Sequence, residues 1–223
     1  MRGLALILLI AACKREPAAQ VAQVDGDAGV ATHVRLPKAS DAPVRRTRVA
    51  LGRERLEKMA AIEHADFERQ DRGGTATSVE FRQTTRTRPR LGVTLEIGAC
   101  GPCEAIDRSV QRRAEVRAAL PAALRDRAET RVEVSARQVA GVTAVATYQL
   151  GAAFGSDEQG QPAGDYIDAY ELQYNDGVNR IRVVASYLDD AVGGVDRLRA
   201  VAPREDLETL AVAFFRFYVQ QWQ

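Results

Sequence analysis

The chain has 223 residues and carries 31 Lys and Arg against 30 Asp and Glu, a formal charge of +1. Such balance supplies no long-range field to gather nucleic acid or acidic substrates, and no nucleic-acid partner is expected. Two histidines, His33 and His64, leave little material for histidine catalysis or metal binding, and neither a metal nor a cofactor is expected. Lys14, Lys38 and Lys58 are the only lysines, an arginine bias that reflects a GC-rich genome more than a functional demand.

In chain order, the first element is Met1 to Ala12. Arg2 is followed by an unbroken apolar run to Ile10, then by Ala11, Ala12 and Cys13. A charged start, a short apolar stretch and small residues are the layout of a secretory signal, and the run is too short to span a bilayer. Ile10-Ala11-Ala12-Cys13 resembles a bacterial lipobox. The resemblance implies cleavage after Ala12, a lipid on Cys13 and a membrane-anchored protein of the cell envelope. In a Gram-negative host, Lys14 after the cysteine implies the outer membrane, facing the periplasm.

Residues 13–44 are rich in Ala, Gln, Asp, Gly and Pro without helical or strand period, and are expected to form a flexible tether. Part of it, Val34-Arg35-Leu36-Pro37, is an alternative early edge strand. Residues 45–223 are then one globular domain, a size that buries a full core.

Within that domain, residues 50–62 place Leu56, Met59 and Ile62 on one helical face. Thr77–Arg82 and Gly92–Ile97 alternate as strands, joined by a polar stretch with Arg86, Arg88 and Arg90 that reads as a solvated hairpin tip. Residues 102–120 have helical spacing at Cys103, Ile106, Val110 and Ala114, with Pro121 as a break. Strands return at Thr130–Ser135 and Val142–Leu150. Gly155–Gly160 reads as a plain connection. Asn175-Asp176-Gly177 between Tyr166–Tyr174 and Val178–Tyr187 is a strong hairpin signal. A closing amphipathic helix starts at Pro203 and carries Leu207, Leu210, Phe214 and Phe217. The pattern predicts an α+β fold: an antiparallel sheet built from hairpins, packed against helices that include the C-terminal one. The element order is weakly similar to the PsbP/Mog1-like sandwich.

Cys100-Gly101-Pro102-Cys103 follows an apolar strand and is read as opening a helix. This locally resembles the thioredoxin active site, and the resemblance implies attack by Cys100 and resolution by Cys103. A helix N-terminus would favour the thiolate. The sequence departs from that family at Ala99, where tryptophan is usual, and at Arg108, where proline is common; no proline lies between Pro121 and Pro162 to face the disulfide. Export and the removal of Cys13 from the thiol count favour a structural Cys100–Cys103 disulfide.

Tyr166, Tyr170 and Tyr174 share one strand face and are expected to pack in the core. His64, with Asp66 nearby, is expected at the surface. The leading expectation is an exported, lipid-anchored protein with a non-catalytic binding or structural role toward a protein or envelope partner. The alternative is a membrane-tethered thiol–disulfide oxidoreductase using Cys100 and Cys103.

Overall fold

A computed structural model describes residues 34–40, 42, 49–70, 78–84, 90–100, 103, 109–128, 130–156, 162–187 and 204–221. Seven strands form one sheet: β1 Phe67–Gln70, β2 Ser78–Gln83, β3 Leu91–Ala99, β4 Arg131–Val139, β5 Val142–Ser156, β6 Pro162–Asn175 and β7 Asn179–Tyr187. Their order is β1-β2-β3-β7-β6-β5-β4, and every pairing is antiparallel. Among the described residues four helices accompany them: α1 Arg53–Ala60, α2 Ser109–Ala119, α3 Ala122–Arg125 and α4 Arg204–Gln220. The fold class is α+β, as the hairpin signals predict.

Period-two alternation gives the sheet two chemically different faces. One register row runs Arg69–Phe81–Val93–Ala185–Tyr170–Tyr148–Glu133, and the next runs Val79–Leu95–Val183–Leu172–Ala146–Ser135. The first is apolar in the middle and polar at both rims, and the second is apolar from Val79 to Ala146 and polar at Ser135, so the centre needs a cover. Helix α4 supplies it: Leu207, Leu210, Ala211, Phe214, Phe215 and Tyr218 are fully buried against β7, β6 and β3. Each large side chain withdrawn from water in this way contributes roughly 1.5–3 kcal/mol. Glu205 and Asp206 occupy the first turn of α4, where negative charge complements the helix dipole. The opposite face is covered at its β4–β6 end by α2, α3 and the Leu120 between them, where Val116, Leu120 and Leu124 meet Val132, Val134 and Ile167.

Tyr170 and Tyr174 lie in the α4-covered core, as their shared face predicts. The side chain of Tyr166 lies outside the described residues. Leu56 and Met59 of α1 are buried too.

Several expectations change. The chain at 34–40 is neither strand nor free tether: Val34 is buried, Leu36 packs on the core, and Ser40 exchanges hydrogen bonds with the Gln220 amide at the end of α4. Apolar residues spaced too irregularly for strand or helix can still seat on a groove, which pattern reading does not detect. Cys103 belongs to no helix; α2 begins at Ser109, with 104–108 outside the described residues. Gly155 and Ser156 belong to β5, because Ser156 still pairs with Pro162. That hairpin overshoots its neighbours, since pairing to β4 stops at Leu150 and pairing to β7 at Ala169. Strand β1 carries no sequence signal of its own; Phe67-Glu68-Arg69-Gln70 is held as an edge by its pairing with β2.

Candidate functional site

The cysteine pair sits where β3 runs out. Cys100 donates its backbone N–H to the Val178 carbonyl at 2.9 Å, which ties the strand end to the β6–β7 turn. That turn is set by Gly177 at φ +95° and by Asp176, whose Oδ1 accepts from the N–H groups of Val178 at 3.0 Å and Asn179 at 2.7 Å. Glycine takes this left-handed backbone without steric cost. Cys100 and Cys103 form a disulfide with a Cα–Cα separation of 5.4 Å, and both are half-buried.

Across β3 the neighbours are β2 and β7, both antiparallel. The chain beside Cys100 is Val178, not a proline presented by a parallel-stranded fold. The thioredoxin likeness therefore stops at the four-residue motif. Cys100 follows extended chain, so among the described residues no helix N-terminus polarises its sulfur.

His64 is not at the surface. Its ring stands 4.6–5.6 Å, centroid to centroid, from Phe81, Phe214, Phe217 and Tyr218, and its Nε2 is 2.9 Å from the Tyr218 hydroxyl. Burial lowers its pKa to about 4, because imidazolium loses its hydration there. The same burial pushes the Tyr218 hydroxyl upward. Nor does Asp66 orient His64. Its Oδ1 accepts from Arg35 Nε at 3.0 Å and Nη2 at 2.7 Å, and that guanidinium holds its carboxyl below the usual range.

Two polar features escape sequence reading. On the sheet face opposite α4, Glu171 is 1% exposed and accepts from Arg112 at 2.8 Å and Arg182 at 3.0 Å, while Arg182 also reaches Glu96 at 2.9 Å. Burial alone would lower the Arg182 pKa, but Glu171 and Glu96 outweigh it and the net movement is upward. Asn179, wholly buried, accepts from the Leu51 N–H at 2.8 Å and donates to the Val49 carbonyl at 3.0 Å, fastening the lead into α1. The only sequence hint is that both residues lie on otherwise strongly patterned strands.

A groove of about 520 Å³ lies between the 34–40 segment, α4 and β4. Leu36, Pro37 and Val212 give it apolar walls, with Arg137, Glu208 and Arg216 as polar members. Arg137 is paired to Glu208 and donates to the Tyr170 hydroxyl at 2.8 Å.

Among the described residues no three His, Cys, Asp or Glu side chains gather as metal ligands, and no helix is long and apolar enough to cross a membrane. His64 is committed to its ring box, and residues 1–33, with His33 and Cys13, lie outside the described residues, as do Arg86 and Arg88. Arg82 lies in β2 and pairs with Glu80 at 3.0 Å. No protein-family model, curated protein or solved structure matches the chain.

Proposed function

We propose that the chain is an exported lipoprotein, anchored through a lipid on Cys13, whose domain serves a binding or structural role at the cell envelope. The observation that carries this reading is Ile10-Ala11-Ala12-Cys13 placed directly after a charged start and a short apolar run. The groove beside α4 supports a binding role, because it combines apolar walls with placed charges, the usual make-up of a recognition site. Mass spectrometry of the mature protein should find an acylated N-terminal Cys13, and Cys13→Ser should move the protein from the membrane to the soluble fraction. An unmodified N-terminus, or membrane retention of the variant, rejects the anchor.

A second reading is favoured by the Cys100–Cys103 pair, whose two residues are half-buried instead of enclosed in the core. Here the Cys100 thiolate attacks a substrate disulfide, forming a mixed disulfide and releasing one substrate thiolate. Cys103 then attacks the Cys100 sulfur, releases the second substrate thiol and restores the Cys100–Cys103 bond. An external dithiol must reduce that bond again for turnover. Dithiothreitol-driven insulin reduction tests it: a rate that Cys100→Ser abolishes supports the oxidoreductase, and a rate equal to the dithiothreitol blank removes it.

A further inference from the structure

Among the described residues β4, Arg131–Val139, ends the sheet and pairs only with β5. Its turn to β5 is a two-residue loop, Ala140-Gly141, with φ of 52° and 79°. In such a loop the flanking Val139 and Val142 form the closing hydrogen-bonded pair. Alternation then turns the main-chain groups of 139, 137, 135, 133 and 131 toward β5. Those of Val132, Val134, Ala136 and Gln138 face outward, and no described backbone group bonds to them.

Exposed edges are normally protected by proline, charged side chains and lysine above all, a bulge or shortness; the charges of β4, Arg131, Glu133 and Arg137, are of both signs and so do not simply repel a second copy. The opposite edge, β1, has four residues. β4 has nine, contains neither proline nor lysine, and keeps unbroken register with β5 over all nine pairs, so it holds no bulge. At its centre Ser135 and Ala136 are small and exposed, which lets another strand approach to the usual spacing of about 4.8 Å.

The strand is also complementary to itself. A two-fold axis at Ser135 pairs all nine residues with a second β4, joining outward-facing Val134 to Ala136 and Val132 to Gln138 of the second copy. It also places Glu133, which already pairs with Arg204 at 2.7 Å, opposite Arg137 of the second copy, which pairs with Glu208; the contact occurs twice, on the α4 side of the sheet, and extends these ion pairs across the seam. Moving the axis to Val134 would oppose Arg131 to Arg137, and moving it to Ala136 would leave Glu133 facing Val139. Like charges directly opposed are unfavourable and opposite charges favourable, so one register is selected.

We propose that two copies of this chain associate through β4, antiparallel and centred on Ser135, to make one continuous sheet. The proposal does not depend on the lipid anchor. Sedimentation of the full chain in mild detergent should show a concentration-dependent monomer–dimer equilibrium. Ala136→Pro removes only an outward N–H and keeps the β4–β5 ladder, as edge positions allow. It should weaken dimerisation at least about ten-fold, equivalent to about 1.4 kcal/mol. Ser135→Lys, at an exposed position, should do the same by opposing two ammonium groups while leaving the circular dichroism spectrum unchanged. Ser135→Cys should give a disulfide-linked dimer on mild oxidation, and the Ser135→Cys/Ala136→Pro double variant should not. A wild-type chain that is monomeric at every concentration overturns the proposal. So does a dimer indifferent to Ser135→Lys, or a β4 edge occupied by an extended segment of a different protein.

Discussion

The Nε2 of His64 and the hydroxyl of Tyr218 lie 2.9 Å apart inside a box walled by Phe81, Phe214 and Phe217. The contact joins the turn before β1 to the last turns of α4, 154 residues apart in sequence. It also places a titratable ring where only its neutral form is comfortable.

The pH dependence follows with a definite sign. The folded pKa of about 4 lies below the ordinary 6.5, so between these values the unfolded chain binds the extra proton. His64 therefore leaves stability intact above pH 6.5 and subtracts from it as pH falls toward 4. The full shift corresponds to at most about 3 kcal/mol. Urea midpoints measured from pH 7 down to 4 should decline in the wild type, with a much flatter profile for His64→Phe. Equal slopes in both proteins would show that the ring is already solvated in the folded state.

Glu171 bridges Arg112 of α2 to Arg182 of β7 while itself withdrawn from water. Removing one partner of a buried pair strands the other charges. Glu171→Leu should cost about 3 kcal/mol, the low end of the usual range because Arg182 keeps Glu96. Chemical denaturation would measure this, and a loss under half that size would mean the arginines find water.

Asn179 uses both ends of its amide on the chain leading into α1. Asn179→Leu leaves the Leu51 N–H without its acceptor and should lower stability by about 2–3 kcal/mol, counting two lost hydrogen bonds and one buried donor. Hydrogen exchange should show the Leu51 amide losing protection more than amides of β5 and β6. Uniform loss across the sheet would mean that Asn179 supports the core at large.

Ala140 is the one described non-glycine residue with positive φ, at 52°. A side chain costs about 1–2 kcal/mol in this left-handed region, while asparagine and glycine tolerate it. Ala140→Asn should raise stability by about 0.5–1 kcal/mol and the thermal midpoint by a few degrees. Unchanged melting would show that the loop relaxes at no cost.

The hairpins and α4 were legible because their signals are local. Val93-Thr94-Leu95-Glu96-Ile97 alternates whatever it pairs with, Asn175-Asp176-Gly177 reverses the chain through its own side chains, and Leu207 to Phe217 repeats at helical spacing. β1 was not legible. Four residues with one buried phenylalanine carry no period, and they become a strand only because β2 offers a ladder. The burial of His64 is not legible for a related reason: an isolated histidine between Glu63 and Ala65 has no apolar periodicity around it, and its box is assembled from β2 and α4.

The candidate site divides along the same line. The sequence by itself determined the charged start, short apolar run and small residues that end at Cys13, the isolated Cys100–Cys103 pair and the period-two and helical faces of the α+β domain, all properties of neighbouring residues. The tertiary structure decided what surrounds them. It set an antiparallel neighbour, Val178, beside Cys100; it seated residues 34–40 on α4; and it left β4 as the long open edge. Those outcomes depend on which strands lie side by side. Strand order is selected by burial of the whole sheet, a sum over distant residues that no local pattern records.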